Sequence, residues 1–312
     1  MEYILLIIGF VLLVKGADFF VDGASSIAGK LKVPSLIIGL TVVSMGTSLP
    51  EAAVSISASL SGNNSISLGN VIGSNIFNLL MVVGISSIIL PIVTDSQIIK
   101  RDMPINIAIT AALCLMLVDG ELSRIDAVIL LVLFASYMFL LFKSALKNRT
   151  EESEHKILSW TKSLIFVVAG AAAIIGGGQL VVNSAKTIAA SLGMGETLIG
   201  LTVVAIGTSL PELVTSIVAA KKGDSGIAMG NVVGSNIFNI LFILGMTGVI
   251  KPLTADSAFF IDTGILIAVC VMMLVFAITK KKTGRIEGVI ATLTYVAYTA
   301  YIIMRAFHLW IF

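Results

Sequence analysis

The sequence predicts an all-α polytopic membrane protein with ten transmembrane helices, arranged as two inverted-topology repeats of five. Three observations predict it: a strongly apolar composition, ten separate apolar runs, and a dense polar motif that occurs twice. Of the 312 residues, 57% are hydrophobic and 12% are charged, and the mean hydropathy is +1.05. These values exclude a soluble domain, and no basic patch with interleaved aromatic residues indicates a nucleic-acid partner.

The ten apolar runs have lengths that cross a ~30 Å hydrocarbon layer at ~1.5 Å rise per residue. The first has an acidic flank and no small-residue cleavage site, so we interpret it as a helix and not a removable signal. A polar interval containing KNRTEESEHK predicts a solvated linker at 147–161, between a first five-helix repeat at 1–146 and a second at 162–312. The predicted spans are 3–28, 36–60, 67–91, 103–119, 123–144, 162–190, 197–220, 227–250, 258–279 and 286–308.

The distribution of Lys and Arg predicts how the spans are oriented. If the amino terminus lies outside, 15 of these residues fall on the cytoplasmic side and four on the other, with Lys15 inside the first span. Cytoplasmic loops carry an excess of Lys and Arg. We therefore predict a multi-pass protein of the cell membrane with both termini outside the cytoplasm.

The chain contains an internal duplication. Residues 36–91 align with 197–252 at an offset of 161 without a gap, and 30 of the 56 aligned positions are identical by direct count. The offset corresponds to five helices, an odd number, so the two copies enter the membrane from opposite sides. Inverted repeats of this kind form substrate sites near the bilayer midplane, where interrupted helices meet.

The first duplicated motif is GLTVVSMGTSLPE at 39–51, which returns as GLTVVAIGTSLPE at 200–212. It places Glu51 and Glu212 at membrane depth, where a carboxylate normally faces a partner, a cavity or an ion. The preceding Pro50 and Pro211 disfavour a continuous helix, while the Gly-Thr-Ser triplet adds hydroxyls and a flexible backbone. Carbonyls, hydroxyls and carboxylates then converge, which predicts a site for hard cations such as Na⁺ and Ca²⁺.

The same residues have a structural alternative. Ser48 to Glu51 and Ser209 to Glu212 match an S-x-x-E capping box, in which both side chains bind free backbone amides at a helix start. Capping explains the spacing, but it does not explain why a helix starts in mid-membrane twice. Capping and ion binding are also compatible with each other.

The second duplicated motif is GNVIGSNIFN at 69–78, repeated as GNVVGSNIFN at 230–239. Its Ser and second Asn are four residues apart and share one helix face, as Ser74 with Asn78 and Ser235 with Asn239. Interhelical hydrogen bonding is the alternative role for each of them. We predict that structural role for Asn70, Asn75, Asn231 and Asn236, and close helix approach at Gly69, Gly73, Gly84, Gly230, Gly234 and Gly245.

Other polar residues receive structural interpretations. Asp18 and Asp22 are not duplicated, and we interpret them as packing or cavity-rim groups near the cytoplasmic end, paired with Lys15 or Lys30. Cys114 and Cys270 lie within apolar runs away from any His, so neither a disulfide nor a thiolate metal site is predicted. No hydrolase, metalloprotease, P-loop or dinucleotide motif is present, so we expect neither enzymatic activity nor a cofactor.

The paired GTSLPE and GSNIFN motifs resemble the alpha-1 and alpha-2 repeats of the calcium:cation antiporter superfamily, most closely its Na⁺/Ca²⁺ exchanger branch. The resemblance covers essentially the whole chain. It implies an antiporter that exchanges Na⁺ for Ca²⁺ by alternating access, with the first and sixth helices sliding as a gate. Its implied partners are these two ions and the lipid bilayer, and we expect it to function as a monomer.

The resemblance also implies the residues that bind the ions. The calcium site resembles one formed by Glu51 and Glu212 with oxygens of Thr47 and Thr208. The implied sodium sites use the backbone carbonyls of Ser44 and Ala205 and the hydroxyls of Ser48, Ser74, Ser209 and Ser235. Asn78 and Asn239 lie in the middle of the implied cluster.

One departure from the family affects the expected coupling. Some relatives carry Asp at the position of Asn239, whereas this chain has Asn in both copies and therefore two carboxylates, not three. This favours exchange that is independent of K⁺. If more Na⁺ enters than balances one Ca²⁺, each cycle is electrogenic.

Two alternatives remain open at this stage. In an H⁺/Ca²⁺ antiporter the two Glu side chains exchange protons for the metal. Such a protein needs no sodium sites rich in hydroxyls, so the paired Thr and Ser argue against it. In a cation channel the acids line a pore, and flux needs no counter-ion. Swapping the sodium gradient for a pH gradient distinguishes the first alternative, and flux without a counter-ion distinguishes the second.

Overall fold

The computed structural model describes residues 1–61, 64–148, 157–193 and 205–306. In these residues eight helices are long and apolar enough to cross a membrane, and Ser35–Thr47 with Leu49–Leu60, bent by 48° at the break, is a candidate for a ninth span. The predicted all-α polytopic class is confirmed. The remaining predicted span, 197–220, includes residues 197–204, which lie outside the described residues.

The helices of the first half follow the predicted order. They are α1 (Glu2–Leu31), α2 (Ser35–Thr47), α3 (Leu49–Leu60), α4 (Asn64–Phe77 continuing to Val83–Ile89), α5 (Ile98–Asp119) and α6 (Arg124–Lys147). Those of the second half are α7 (Trp160–Ser191), α8 (Ala205–Thr208), α9 (Leu210–Lys221), α10 (Ser225–Ile250), α11 (Ser257–Lys280) and α12 (Arg285–Ala306).

Several helix ends follow from local sequence. Ser123 and Asp126 form a reciprocal capping box at the start of α6, and the Asp256 side chain accepts backbone N–H bonds at the start of α11. Lys32 adopts a left-handed conformation with φ 55° after α1, and Pro34 precedes α2. These signals separate the long helices with short connections.

In the described parts of the chain, four two-residue strands link the two halves. They are β1 (Ile92–Val93), β2 (Glu121–Leu122), β3 (Leu253–Thr254) and β4 (Lys282–Thr283). β1 pairs antiparallel with β4, and β2 pairs antiparallel with β3. The offset of 161 relates β1 to β3 and β2 to β4, so each pair is the symmetry equivalent of the other. The duplicated sequence is therefore an approximate two-fold repeat in space.

Close glycine contacts bring α2 against α10 in the buried core. A Cβ added to Gly230 lies 3.0 Å from the Gly39 Cα, and one added to Gly234 lies 2.8 Å from the Leu40 Cα. Added Cβ atoms also meet neighbouring helices at Gly84 and Gly245, so close approach is confirmed at these four predicted positions. Added Cβ atoms at Gly69 and Gly73 meet at most a Phe259 ring atom at 3.6 Å among the described residues.

α1 and α7 form the most extensive helix pair, along a line of small residues. Gly9, Gly16 and Gly23, seven residues apart, contact Gly177, Gly170 and the Ser163 carbonyl of the antiparallel helix. Added Cβ atoms at the three α1 glycines lie 2.8 to 3.0 Å from atoms of α7. The backbones of α1 and α7 therefore lie in direct contact at three positions along the pair.

This packing predicts opposite effects of alanine at two adjacent glycines of α7. A Cβ at Gly177 lies 2.8 Å from the Gly9 carbonyl oxygen, whereas a Cβ at Gly176 meets no described atom within 4 Å. We expect Gly177→Ala to destabilise the protein by about 1–3 kcal/mol through overpacking. We expect Gly176→Ala to stabilise it by roughly 0.5–1 kcal/mol through helix propensity.

Thermal unfolding of both variants in detergent tests this prediction. The wild-type midpoint is expected to fall between those of the two variants. Equal midpoints for Gly177→Ala and Gly176→Ala would contradict the direct contact of α1 with α7.

Candidate cation site

A helix break positions each of the two membrane carboxylates. Ser48 has φ −85° and ψ 8° between α2 and α3, and Ser209 has φ −94° and ψ 7° between α8 and α9. A proline follows two residues after each break and lacks the N–H that a continuous helix requires. Glu51 and Glu212 consequently lie in the first turn of α3 and α9, where the helix dipole favours negative charge.

The two carboxylates come together, one from each half of the chain. Glu51 is 1% exposed and Glu212 is fully buried. Ser48 Oγ donates to Glu212 Oε1 at 2.8 Å, and Ser209 Oγ donates to Glu51 Oε1 at 3.1 Å. Each serine thus binds the carboxylate of the other half.

These contacts decide the capping alternative. Neither Ser48 nor Ser209 makes a side-chain capping hydrogen bond to its own helix. Their hydroxyls are used across the two-fold axis instead. The capping-box interpretation of the S-x-x-E spacing is therefore wrong at both positions.

Further predicted oxygens lie around the carboxylates. Ser235 Oγ lies 3.5 Å from Glu212 Oε1 and 3.3 Å from the Ser44 carbonyl oxygen, which also accepts from Thr47 at 3.3 Å. The Thr208 side chain interacts with Glu51. The structure therefore brings the side chains of Thr47, Thr208 and Ser235 and the Ser44 carbonyl next to the acids.

The remaining predicted residues are placed by their helices. Ser74 is buried on α4 one turn before Asn78, as Ser235 precedes Asn239 on α10. Asn78 and Asn239 each begin a π-helical turn, Asn78–Val82 and Asn239–Leu244, and such turns are frequent at functional sites. Ala205 begins α8.

Among the residues that the structure describes, four buried oxygens in this cluster have no hydrogen-bond partner. They are Glu51 Oε2, Glu212 Oε2, Asn78 Oδ1 and Asn239 Oδ1, two symmetry-related pairs. An unsatisfied buried acceptor costs about 1–3 kcal/mol, and a charged one costs more. Carboxylate and amide oxygens are the ligands that hard cations prefer, so the arrangement is suited to binding such an ion.

Asn70 and Asn231 donate hydrogen bonds to the backbone carbonyls of the two glutamates. Asn70 Nδ2 donates to the Glu51 carbonyl oxygen at 3.1 Å and to Ser55 Oγ at 2.9 Å. Asn231 Nδ2 donates to the Glu212 carbonyl oxygen at 3.3 Å, and Asn231 Oδ1 accepts from Thr47 at 2.9 Å. The predicted structural role is confirmed, with the addition that these amides hold the backbone of the two acids. Their place in a duplicated motif is the only sequence signal for this addition.

Asp18 and Asp22 lie outside the cluster, on α1. Lys222 Nζ lies 2.6 Å from Asp22 Oδ1 and 3.5 Å from Asp18 Oδ1, and it donates to the Asp18 carbonyl oxygen at 2.8 Å. The predicted pairing with Lys15 or Lys30 is therefore wrong. Asp18 is 204 positions from Lys222, and no local pattern indicates a contact between positions so distant in sequence.

A helical membrane protein with paired acids at two broken helices belongs to the class of cation transporters and not to the enzymes. The sodium/calcium exchanger protein family model matches residues 1–143 and 162–304. This chain belongs to that family.

Individual relatives agree with this assignment. The chain is 39% identical over 308 residues to the putative antiporter CaxA of Alkalimonas amylolytica, covering 95% of this chain and 96% of the relative. It is 36% identical over 340 residues to the sodium/calcium exchanger MaX1 of Methanosarcina acetivorans, covering 95% and 97%. A solved structure of the sodium-calcium exchanger NCX_Mj superimposes with a TM-score of 0.85 at 34% identity, covering 96% and 98%.

Proposed function

We propose that this chain is a secondary active antiporter that exchanges Na⁺ for Ca²⁺, electrogenically and independently of K⁺. The single observation that carries the proposal is the set of four buried oxygens without a hydrogen-bond partner in the described part of the chain, contributed equally by the two halves around Glu51 and Glu212. Two charged and two neutral oxygens suit one divalent cation or several monovalent ones. The ions are the transported substrates, and no resident cofactor is involved.

In the proposed mechanism, charge matching makes the two ions mutually exclusive. Two neighbouring carboxylates buried in the membrane repel each other and are strongly destabilising when uncompensated. One Ca²⁺ bound by Glu51, Glu212, Thr47 and Thr208 neutralises them. Na⁺ ions neutralise them in overlapping sites built from the Ser44 and Ala205 carbonyls, the hydroxyls of Ser48, Ser74, Ser209 and Ser235, and the amides of Asn78 and Asn239.

The proposed gate is the α1–α7 pair, which slides across the core once the carboxylates are compensated. Contacts at the first duplicated motif support this role, because the Phe20 ring lies against Gly46 and the Val182 side chain lies against Gly207. Both glycines immediately precede the Thr-Ser pair of their copy. A displacement of the helix pair therefore uncovers the residues next to the carboxylates.

The wider architecture enters the proposal as well. We infer ten spans in two inverted repeats, both termini outside the cytoplasm, and a monomer as the functional unit. The excess of Lys and Arg in the predicted cytoplasmic loops supports the orientation, and the pairing of β1 with β4 and β2 with β3 supports the repeat.

The sodium dependence of calcium flux tests the proposal. Proteoliposomes loaded with Na⁺ and diluted into choline medium are expected to accumulate ⁴⁵Ca²⁺, whereas vesicles with equal Na⁺ on both sides are not. A sodium ionophore that collapses the gradient serves as the control and should abolish accumulation. Accumulation driven by a pH gradient alone would instead identify H⁺/Ca²⁺ antiport, and equilibration of ⁴⁵Ca²⁺ without any counter-ion would identify a channel.

A further inference from the structure

Four asparagine amides connect α4 with α10 across the two-fold axis. Asn75 Nδ2 donates to the Asn236 carbonyl oxygen at 3.1 Å, and Asn236 Nδ2 donates to the Asn75 carbonyl oxygen at 3.1 Å. Asn239 Nδ2 then donates to Asn75 Oδ1 at 3.0 Å, and Asn78 Nδ2 donates to Asn236 Oδ1 at 3.2 Å. All four side chains are fully buried.

The bonds to backbone carbonyls determine which way the first two amides face. A carbonyl oxygen only accepts, so the atom of Asn75 that faces the Asn236 carbonyl must be the nitrogen. The Asn75 oxygen therefore points the other way, toward Asn239. The same argument applies in the other half, where Asn236 presents its nitrogen to the Asn75 carbonyl and its oxygen points toward Asn78.

The orientation is passed on to the second pair of amides. Asn75 Oδ1 only accepts, so Asn239 must present its nitrogen to it and turn its own oxygen away. That oxygen and its counterpart on Asn78 are the two amide oxygens of the site that have no hydrogen-bond partner among the described residues. Ser235 lies one turn before Asn239 on the same face of α10, and its hydroxyl is 3.5 Å from Glu212 Oε1, which places this face at the carboxylates.

We propose that Asn75 and Asn236 are positioning residues for ion binding, which hold Asn239 and Asn78 with their oxygens, and not their amide nitrogens, toward the cation. The inference rests on the proposed function of the Glu51 and Glu212 site. The two residues touch no ion themselves and act through the neighbouring amide. Each also joins the two halves, so one amide orientation is maintained on both sides of the site.

Loss of this orientation has a specific consequence. When Asn75 is replaced by alanine, the Asn239 amide loses the partner that fixes its orientation. It can then rotate about its last torsion and present its nitrogen to the site, where it donates to the carboxylate oxygens. It then repels a cation and competes for the same ligands. Because hydrogen bonds to charged groups contribute about 1.5–3 kcal/mol, we expect Asn75→Ala to weaken Ca²⁺ binding on the order of 10- to 100-fold.

A double-mutant cycle separates positioning from packing. Ca²⁺ affinity is measured by calorimetry for the purified wild type, Asn75→Ala, Asn239→Ala and the double variant. If Asn75 acts through Asn239, Asn75→Ala weakens binding in the wild type but causes less than about a twofold change when Asn239 is already alanine. Equal weakening in both backgrounds indicates a packing role and overturns the proposal, as does wild-type affinity in Asn75→Ala.

Asn106→Ala is the matched control for removing a buried amide at membrane depth. Asn106 is 2% exposed and donates to Cys270 Sγ at 3.5 Å, between α5 and α11. Its Ca²⁺ affinity is expected to stay within twofold of the wild type. A loss as large as that of Asn75→Ala would also overturn the proposal, because it would mean that any lost amide weakens binding.

A second variant covers the case in which Asn75→Ala does not fold. Asn236→Ser retains a hydroxyl but is too short to hold Asn78, so the same weakening is expected, and the cycle is then run with Asn78→Ala. The proposed function fails separately, through a wild type that binds no Ca²⁺ or through Glu212→Gln binding it normally. If Asn236→Ser binds Ca²⁺ with wild-type affinity while Glu212→Gln does not bind it, only the positioning role is overturned.

Discussion

Glu212→Gln is expected to abolish Ca²⁺ binding and transport, and Glu51→Gln is expected to do the same. Glutamine keeps the shape of the side chain but removes the charge that compensates the metal, and it can present an amide nitrogen where the unpaired oxygen lies. In the proposed site each carboxylate and the Ca²⁺ form a buried pair of opposite charges, and removing one partner from such a pair typically costs about 3–5 kcal/mol. Affinity should therefore fall by more than about 100-fold, measured as ⁴⁵Ca²⁺ binding to purified protein.

Thermal stability distinguishes a lost site from a lost fold. The ion-free variants should unfold at or above the wild-type temperature, because one of two neighbouring buried carboxylates is gone. Ca²⁺ should raise the unfolding temperature of the wild type, since a ligand that binds the folded state stabilises it, but not that of the variants. A variant that unfolds early without ions would point to a folding defect.

Asp18→Asn provides the matched control for losing a carboxylate. The Asp18 side chain is 36% exposed and faces Lys222, and exposed ion pairs contribute only about 0–1 kcal/mol. Its effect on Ca²⁺ affinity should be much smaller than that of either Glu variant. Comparable losses from all three substitutions would show that the cation site lies elsewhere.

The duplicated motifs explain why so much of the site was predictable. A carboxylate at membrane depth is rare, and two of them at the same position of a repeat predict that they meet. Glu51, Glu212, Ser48 and Ser209 lie together as this argument requires. The helix break was predictable for a similar reason, because proline cannot continue the hydrogen-bond ladder.

Contacts between distant helices were not predictable from local pattern. Nothing in the motifs indicates that Ser48 reaches the carboxylate of the opposite half and not a backbone amide of its own helix. The pairing of Lys222 with Asp22 joins residues 200 positions apart, and β1 pairs with β4 across most of the chain. Such contacts depend on how whole helices pack, whereas sequence periodicity reports one helix at a time.

The two halves of the chain also differ in charge, at α1 and at the end of α9. Asp18 and Asp22 have Gln179 and Asn183 at the offset of 161, and Lys222 has Ser61. The corresponding positions on α7 and after α3 are uncharged, so the ion pair between α1 and the end of α9 has no equivalent there. In the proposed alternating-access cycle, we therefore expect the two arrangements of the α1–α7 pair to differ in stability.

An imposed membrane potential is expected to change Ca²⁺ accumulation by a large factor. In the proposed exchange the two carboxylates balance one Ca²⁺ or two Na⁺, and the neutral oxygens of the proposed sodium sites accept a further Na⁺. More than two Na⁺ per Ca²⁺ then moves at least one net charge each cycle. At ~2.3 kcal/mol per charge per 100 mV, 100 mV shifts the equilibrium Ca²⁺ ratio roughly 50-fold.

The direction of this effect is specified by the exchange. When Na⁺ leaves a vesicle and Ca²⁺ enters, net positive charge moves outward, so an interior-positive potential should increase ⁴⁵Ca²⁺ accumulation and an interior-negative one should reduce it. The potential is set with valinomycin and a K⁺ gradient at constant Na⁺ gradient, and repeated with a proton ionophore and a pH gradient so that K⁺ is absent. Equal accumulation at both polarities would mean two Na⁺ per Ca²⁺ and no net charge movement. A response to the K⁺ gradient alone would mean that K⁺ is itself transported, in which case two asparagines at 78 and 239 do not exclude it from the site.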